Sequence, residues 1–134
     1  MLIQERIRTP SPQCFVDVTH YIAAAVKQSG IKNAHILVSV PHTTAALTVN
    51  ENADPDVVTD LLRRLESIAP SRDSLDRHSE GNSHAHLKSS LLGSCHPFIV
   101  NEGELVLGTW QGIYLCEFDG PRTRSLIISM LKSD

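Results

Sequence analysis

Three histidines stand where side chains from distant parts of the chain could meet. His42 follows directly on a strand end, His78 lies in a polar loop with Glu80 two residues on, and His86 falls near the start of a short helix. Three protein ligands plus one open position is how a catalytic zinc-type site is built. His42, His78 and His86 are therefore candidate metal ligands, with Glu80 a candidate general base on bound water or on substrate. The positive end of a helix dipole opposes protonation, so a histidine at a helix start favours the neutral form that a metal needs. His84 and His86 diverge by about 200° at 3.6 residues per turn, so a helical turn cannot aim both at one ion. The same residues could equally be hydrogen-bonding loop histidines, because HxE and HxH spacings are short and frequent by chance. His20 and His35 read as structural, and His96 as an exposed loop residue.

A second feature is anion capture. Glu80-Gly81-Asn82-Ser83 leads into a helix whose first backbone N–H groups are unpaired, a ready phosphate or sulfate site. Lys88, one turn on, or Arg122 after a Gly-Pro turn could add positive charge, the arginine bidentately. Ordinary capping and a surface arginine would leave the same pattern. Two glycines bracket the sole tryptophan in Gly108-Thr109-Trp110-Gln111-Gly112, which marks a bulge or a close backbone approach. Trp110 could stack on a flat ligand or pack at a subunit contact. Glu117 and Asp119 read as solvated edge residues that discourage sheet-edge association.

The elements that must position these groups follow from periodicity. Leu2 to Arg8 alternates as a strand, and Asp17 or Thr19 could cap a helix ending at Ser29, before Gly30. Ala34 to Val40 is a buried strand stopped by Pro41, and Thr44 to Asn50 is a second. Asp54-Pro55 opens a helix carrying Val57, Val58, Leu61, Leu62, Leu65 and Ile68 on one face. Residues 71–82 form a loop, and Ser83 to Leu92 a short helix capped by Asn82 or Ser83. From Phe98 the pattern is all strand: a turn at Asn101-Glu102-Gly103, alternation from Glu104 to Phe118, a turn at Asp119-Gly120-Pro121, and alternation again to Leu131. The expected fold is a single domain over residues 1–134, α/β in the α+β sense. It has one mostly antiparallel sheet with helices packed on one face.

Bulk properties bound the function. At 134 residues, 41% hydrophobic and 20% charged, the chain suits one aliphatic core. A net charge of −3 with no basic block argues against nucleic acid. No apolar run is long enough to span a bilayer. Three cysteines without CxxC spacing read as reduced thiols in a cytoplasmic protein.

Taken together, the runs His42-Thr43-Thr44-Ala45-Ala46-Leu47, Asn50-Glu51-Asn52-Ala53-Asp54-Pro55, His78 with Glu80-Gly81-Asn82, Ala85-His86-Leu87-Lys88, and Leu107 to Gly112 through Glu117 to Arg122 resemble the YjbQ-like (UPF0047) family across nearly the whole chain. The resemblance implies a homotrimer with sites near subunit boundaries and a weak, secondary thiamine-phosphate synthase activity. That reaction joins hydroxymethylpyrimidine diphosphate to a thiazole phosphate and releases pyrophosphate. It implies Glu80 and Asn82 as catalytic residues and Thr44, Ser83, Lys88 and Arg122 as phosphate-binding ones. A divalent ion, zinc or magnesium, would sit on His42, His78 and His86, and Trp110 would be an aromatic wall. The chain departs from the family pattern at His84, at Asp76 and in Ser94-Cys95-His96, which bears on loop shape and pocket lining.

Overall fold

The computed structural model describes residues 1–133 and contains eight strands and three helices. In chain order they are β1 (Leu2–Arg8), β2 (Cys14–Asp17), α1 (Thr19–Ser29), β3 (Ala34–Ser39), β4 (Ala45–Glu51), α2 (Pro55–Ile68), α3 (Ser83–Leu92), β5 (Cys95–Asn101), β6 (Glu104–Leu105), β7 (Gln111–Glu117) and β8 (Thr123–Lys132). The strands form two antiparallel sheets rather than the single one expected, in the orders β1-β8-β3-β5-β6 and β2-β7-β4. The long alternation from Glu104 to Phe118 breaks between β6 and β7, and that break lets the chain change sheets. Cys14 to Asp17, hidden behind two prolines in the sequence, supplies the edge strand β2.

The two sheets enclose the main core. In β3, Ala34, Ile36 and Val38 point inward and meet Val100 and Phe98 of β5 and Leu126, Ile128 and Met130 of β8. From the other sheet come Ala45, Leu47, Ile113 and Leu115, and α1 closes one end with Ile22, Ala25 and Val26. Those three positions are the i, i+3, i+4 stripe expected of a docked helix.

The second sheet is covered on its far side too. Ala46, Tyr114, Cys116 and Phe118 pack there against Ala85 of α3 and against Val58, Leu62 and Leu65 of α2. This double cover explains why six of seven β7 residues are buried, against the alternation read from sequence. The Asp54 side chain accepts from Asp56 N at 2.9 Å, and Pro55 opens the helix, as the sequence signal required. The outer face of the five-stranded sheet carries Leu2, Leu37, Ile99 and Leu131, all exposed. Among the described residues no helix is long and apolar enough to cross a membrane.

Candidate functional site

One cavity of about 460 Å³ gathers residues from four parts of the chain: His42 and Thr44 after β3, His78, Glu80 and Asn82 before α3, His86 on it, and Asp119, Arg122 and Arg124 at the β7–β8 turn. The local chain explains the convergence. Gly81 adopts φ +69, and its N–H donates to the His78 carbonyl at 3.2 Å, which folds the loop back onto α3. Only glycine takes that conformation without a Cβ penalty. The His78 and His86 rings then lie 5.4 Å apart between centroids, edge to face at 78°. A second cavity, also about 460 Å³, shares His42, Thr43 and His86 with the first and is lined further by Ser89 and Ser90. A larger one, about 550 Å³ beside α1, holds Lys27, Lys32, Glu102 and Glu104 but none of the expected site residues.

The pocket wall is a hydrogen-bonded frame. Asn82 Nδ2 donates to Asp119 Oδ2 at 2.8 Å, and Arg122 donates to the same oxygen at 3.0 Å and to the Asp119 carbonyl at 2.7 Å. Burial alone would raise the Asp119 pKa, but donation from Asn82 and Arg122 outweighs it and holds the carboxyl below its usual range. Behind the wall lies a fully buried pair. Arg124 grips both Glu117 oxygens, one of them at 2.8 Å, and its Nη2 also reaches Thr44 Oγ1 at 2.9 Å. Thr9 donates to Glu117 at 2.7 Å. Burial opposes ionisation of Glu117, yet these donors keep its pKa low. Glu117 is thus a buried counterion, not the solvated edge residue that its strand position suggested.

Two guanidiniums are matched by Asp119 and Glu117, and Glu80 adds a further carboxylate. The cavity is polar without carrying excess positive charge.

Not every expected residue reaches it. Lys88 is completely buried. Its ammonium is spent on Glu66 at 2.8 Å, His84 Nδ1 at 2.9 Å and Gln13 at 3.1 Å, so all three N–H groups are used. It ties α3 to α2 and does not line the cavity. Ser83 and His84 border a small cleft with Ile68 and Leu87 instead. Trp110 is exposed outside any strand and is absent from the lining. Asn82 sits at the helix start but makes no side-chain cap, because its amide is turned to Asp119.

The three-histidine metal site fits poorly. Among the described residues no group of three His, Cys, Asp or Glu side chains is arranged to hold an ion. Oxygen donors also line the cavity: Asp119 and Glu80 contribute carboxylates, and Asn82 carries a buried Oδ1 with no hydrogen-bond partner. That set suits a hard cation such as magnesium, which binds through a carboxylate or two plus substrate phosphates. Arg124 was not singled out from sequence, and Glu117 was read only as an edge residue, although a signal for the pair existed. Arg124 has the same strand parity as Leu126, Ile128 and Met130, so it had to point inward and find a counterion.

Comparison with known proteins agrees with this architecture. A family model described as UPF0047 protein YjbQ-like matches residues 4–133. The Bacillus subtilis UPF0047 protein YugU is 50% identical, covering 98% of this chain and 99% of its own length. A UPF0047 protein of Methanocaldococcus jannaschii is 44% identical over 98% of this chain and 94% of its own. The crystal structure of an uncharacterized YjbQ/UPF0047 protein from Clostridium acetobutylicum superposes with a TM-score of 0.93 at 46% identity, over 96% of this chain and 99% of that one. A Sulfolobus solfataricus protein of unknown function gives 0.94 at 35% identity, over 99% and 97%. With sequence and fold in agreement along nearly its full length, the chain belongs to the YjbQ-like UPF0047 family.

Proposed function

We propose that the protein is an enzyme acting on a small phosphorylated substrate in the His42–His78–His86 cavity, with thiamine-phosphate synthesis as the specific reaction. The observation that carries this reading is the meeting of three imidazoles, Glu80, Asn82 and Arg122 around one cavity. A second cavity shares His42 and His86 with it, which suits a reaction between two substrates. In that reaction the thiazole nitrogen bonds to the pyrimidine's methylene carbon while the carbon–oxygen bond to the diphosphate breaks. Charge builds on the departing pyrophosphate, and donors fixed in place before the reaction stabilise it without reorganising. Arg122, which lines the cavity and is braced by Asp119, would be such a donor. Thr44 belongs to the phosphate-binding wall, and Glu80 would act through the cation that accompanies the diphosphate, since the thiazole nitrogen attacks with its own lone pair and no proton has to be removed.

Because the arginines are already matched by carboxylates, a diphosphate needs further positive charge. A divalent cation arriving with it would be held by Asn82 Oδ1, Asp119 and Glu80 and would neutralise the leaving group. Homotrimer formation is part of the proposal and is supported by the exposed apolar residues Leu37, Ile99 and Leu131 on the outer sheet face. A cytoplasmic location is supported by the three free cysteines.

The test is incubation of purified protein with both precursors and magnesium, following thiamine phosphate and pyrophosphate by chromatography. Product formation that is lost in Glu80→Gln supports the reading. No product from folded, trimeric preparations sinks the synthase assignment. Phosphate release from either precursor alone would instead identify a hydrolase using the same cluster. Binding without turnover would leave a non-catalytic anion- or metal-binding trimer.

A further inference from the structure

The backbone N–H of Ser125 donates to Nε2 of His42 at 2.8 Å. A neutral imidazole has one lone-pair nitrogen and one N–H, so a ring that accepts at Nε2 carries its proton on Nδ1. The donor is a peptide group in the β8 ladder, in register with Arg6 of β1, and it cannot exchange its role as a hydroxyl or water could. An ion on Nδ1 would drive the proton to Nε2 and set N–H against N–H. An ion on Nε2 would have to displace Ser125. Burial and the neighbouring Arg124 guanidinium both favour the neutral ring, against a smaller opposing pull from Glu117.

Among the described residues nothing pairs with the Nδ1 of His42, and the residue borders both cavities. A hydrogen-bond donor there has chemical use, because Arg124 is committed to Glu117 and Thr44 and Arg122 is partly engaged by Asp119. We infer that His42 is locked as the Nδ1–H tautomer and donates to a phosphoryl oxygen of the substrate, rather than acting as a metal ligand. The identity of its acceptor rests on the phosphorylated-substrate reading above; the tautomer does not.

Protein labelled with 15N-histidine separates the two nitrogens by long-range 1H–15N correlation, with the His42 signals assigned from their loss in His42→Asn. The expected pattern is a protonated Nδ1 and a bare Nε2 at pH 7.5, unmoved by added zinc. An Nε2–H tautomer, or a zinc-induced shift of the His42 nitrogens, overturns the inference. Calorimetry with magnesium pyrophosphate and with zinc supplies the second arm. A hydrogen bond to a charged acceptor predicts that His42→Ala weakens pyrophosphate binding roughly tenfold to a hundredfold. His42→Asn, whose amide offers an N–H near the Nδ1 position, should recover most of that loss. Zinc affinity should be unchanged in both variants, and a tenfold fall would make His42 a ligand after all. Failure of wild-type protein to bind pyrophosphate overturns the donor role together with the substrate class. Normal pyrophosphate binding by His42→Ala overturns the donor role alone.

Discussion

Glu117, the last residue of β7, and Arg124, the second of β8, pair side chain to side chain beneath the cavity, with both side chains withdrawn from solvent. The turn between them carries Asp119 and Arg122 on the cavity wall. The buried pair therefore fixes the base of the loop whose tip forms the site, and Thr44 and Thr9 complete its hydrogen bonding. Through Arg124 it also reaches the segment that presents His42.

Breaking this pair should be costly. Removing one partner of a buried ion pair leaves an uncompensated charge, worth about 3–5 kcal/mol. Arg124→Met and Glu117→Gln should each lower stability by that order, while Arg124→Met with Glu117→Leu should cost less than the two singles together. Urea denaturation of the four proteins decides it. Single variants within about 1 kcal/mol of the parent, the range of an exposed pair, would contradict the buried-pair account.

The sequence showed part of this arrangement and concealed part. His42, His78 and His86 could be picked out because the first follows a strand end, the second lies in a polar loop beside Glu80, and the third stands near a helix start, where side chains collect. Arg124 was readable from strand parity, yet its counterion lay in β7, whose burial on both faces erases alternation. Lys88 was misread because a lysine one turn into a helix is normally solvated. Its partner Glu66 lies on another helix, at a separation that no helical period reveals. The split into two sheets was hidden because residues 106–110 continue the apolar rhythm while leaving the ladder.

The Lys88–Glu66 contact makes stability depend on pH. Burial would raise the Glu66 pKa, but hydrogen bonds from Lys88, Ser71 and Gln13 bring it down to about 2 from an ordinary 4.5. A carboxyl with a depressed folded pKa contributes stability that is fully present above its unfolded value and lost as pH falls through the folded one. Wild-type protein should therefore lose stability between about pH 4.5 and 2 through this group, and Glu66→Gln should flatten that part of the profile. Chemical denaturation at stepped pH measures it, and parallel curves for the two proteins would remove Glu66 from the account.

Asn82 separates binding from folding. Its amide donates to Asp119, but its Oδ1 is buried with no partner. An unsatisfied buried acceptor costs about 1–3 kcal/mol, comparable to what the Asp119 bond contributes. Asn82→Ala should therefore shift the urea midpoint little, while binding of magnesium pyrophosphate falls at least tenfold. A large stability loss with unchanged binding would show a purely structural amide.

Two glycines test close approaches in the fold, and one of them, Gly120, lies in the turn that carries Asp119 and Arg122. A Cβ on Gly112 would lie 2.6 Å from Asn52 Nδ2 and 2.8 Å from Asn52 Cβ, all side-chain atoms. On Gly120 it would lie 2.4 Å from the Ser11 carbonyl oxygen, which is backbone, and 2.7 Å from Glu117 Cγ. Overpacking of this kind costs about 1–3 kcal/mol and sometimes more. Both Gly112→Ala and Gly120→Ala should destabilise, but they should differ in rescue. Asn52→Gly removes every atom that meets the new methyl at residue 112, so the double variant should recover part of the loss. No truncation of Ser11 removes its carbonyl, so Gly120→Ala should stay destabilised and should also displace Asp119 and Arg122, with pyrophosphate binding lost. Thermal melts and binding isotherms on the same samples check both halves. If Asn52→Gly fails to rescue while Ser11→Gly does, the contacts assigned to the two glycines are wrong.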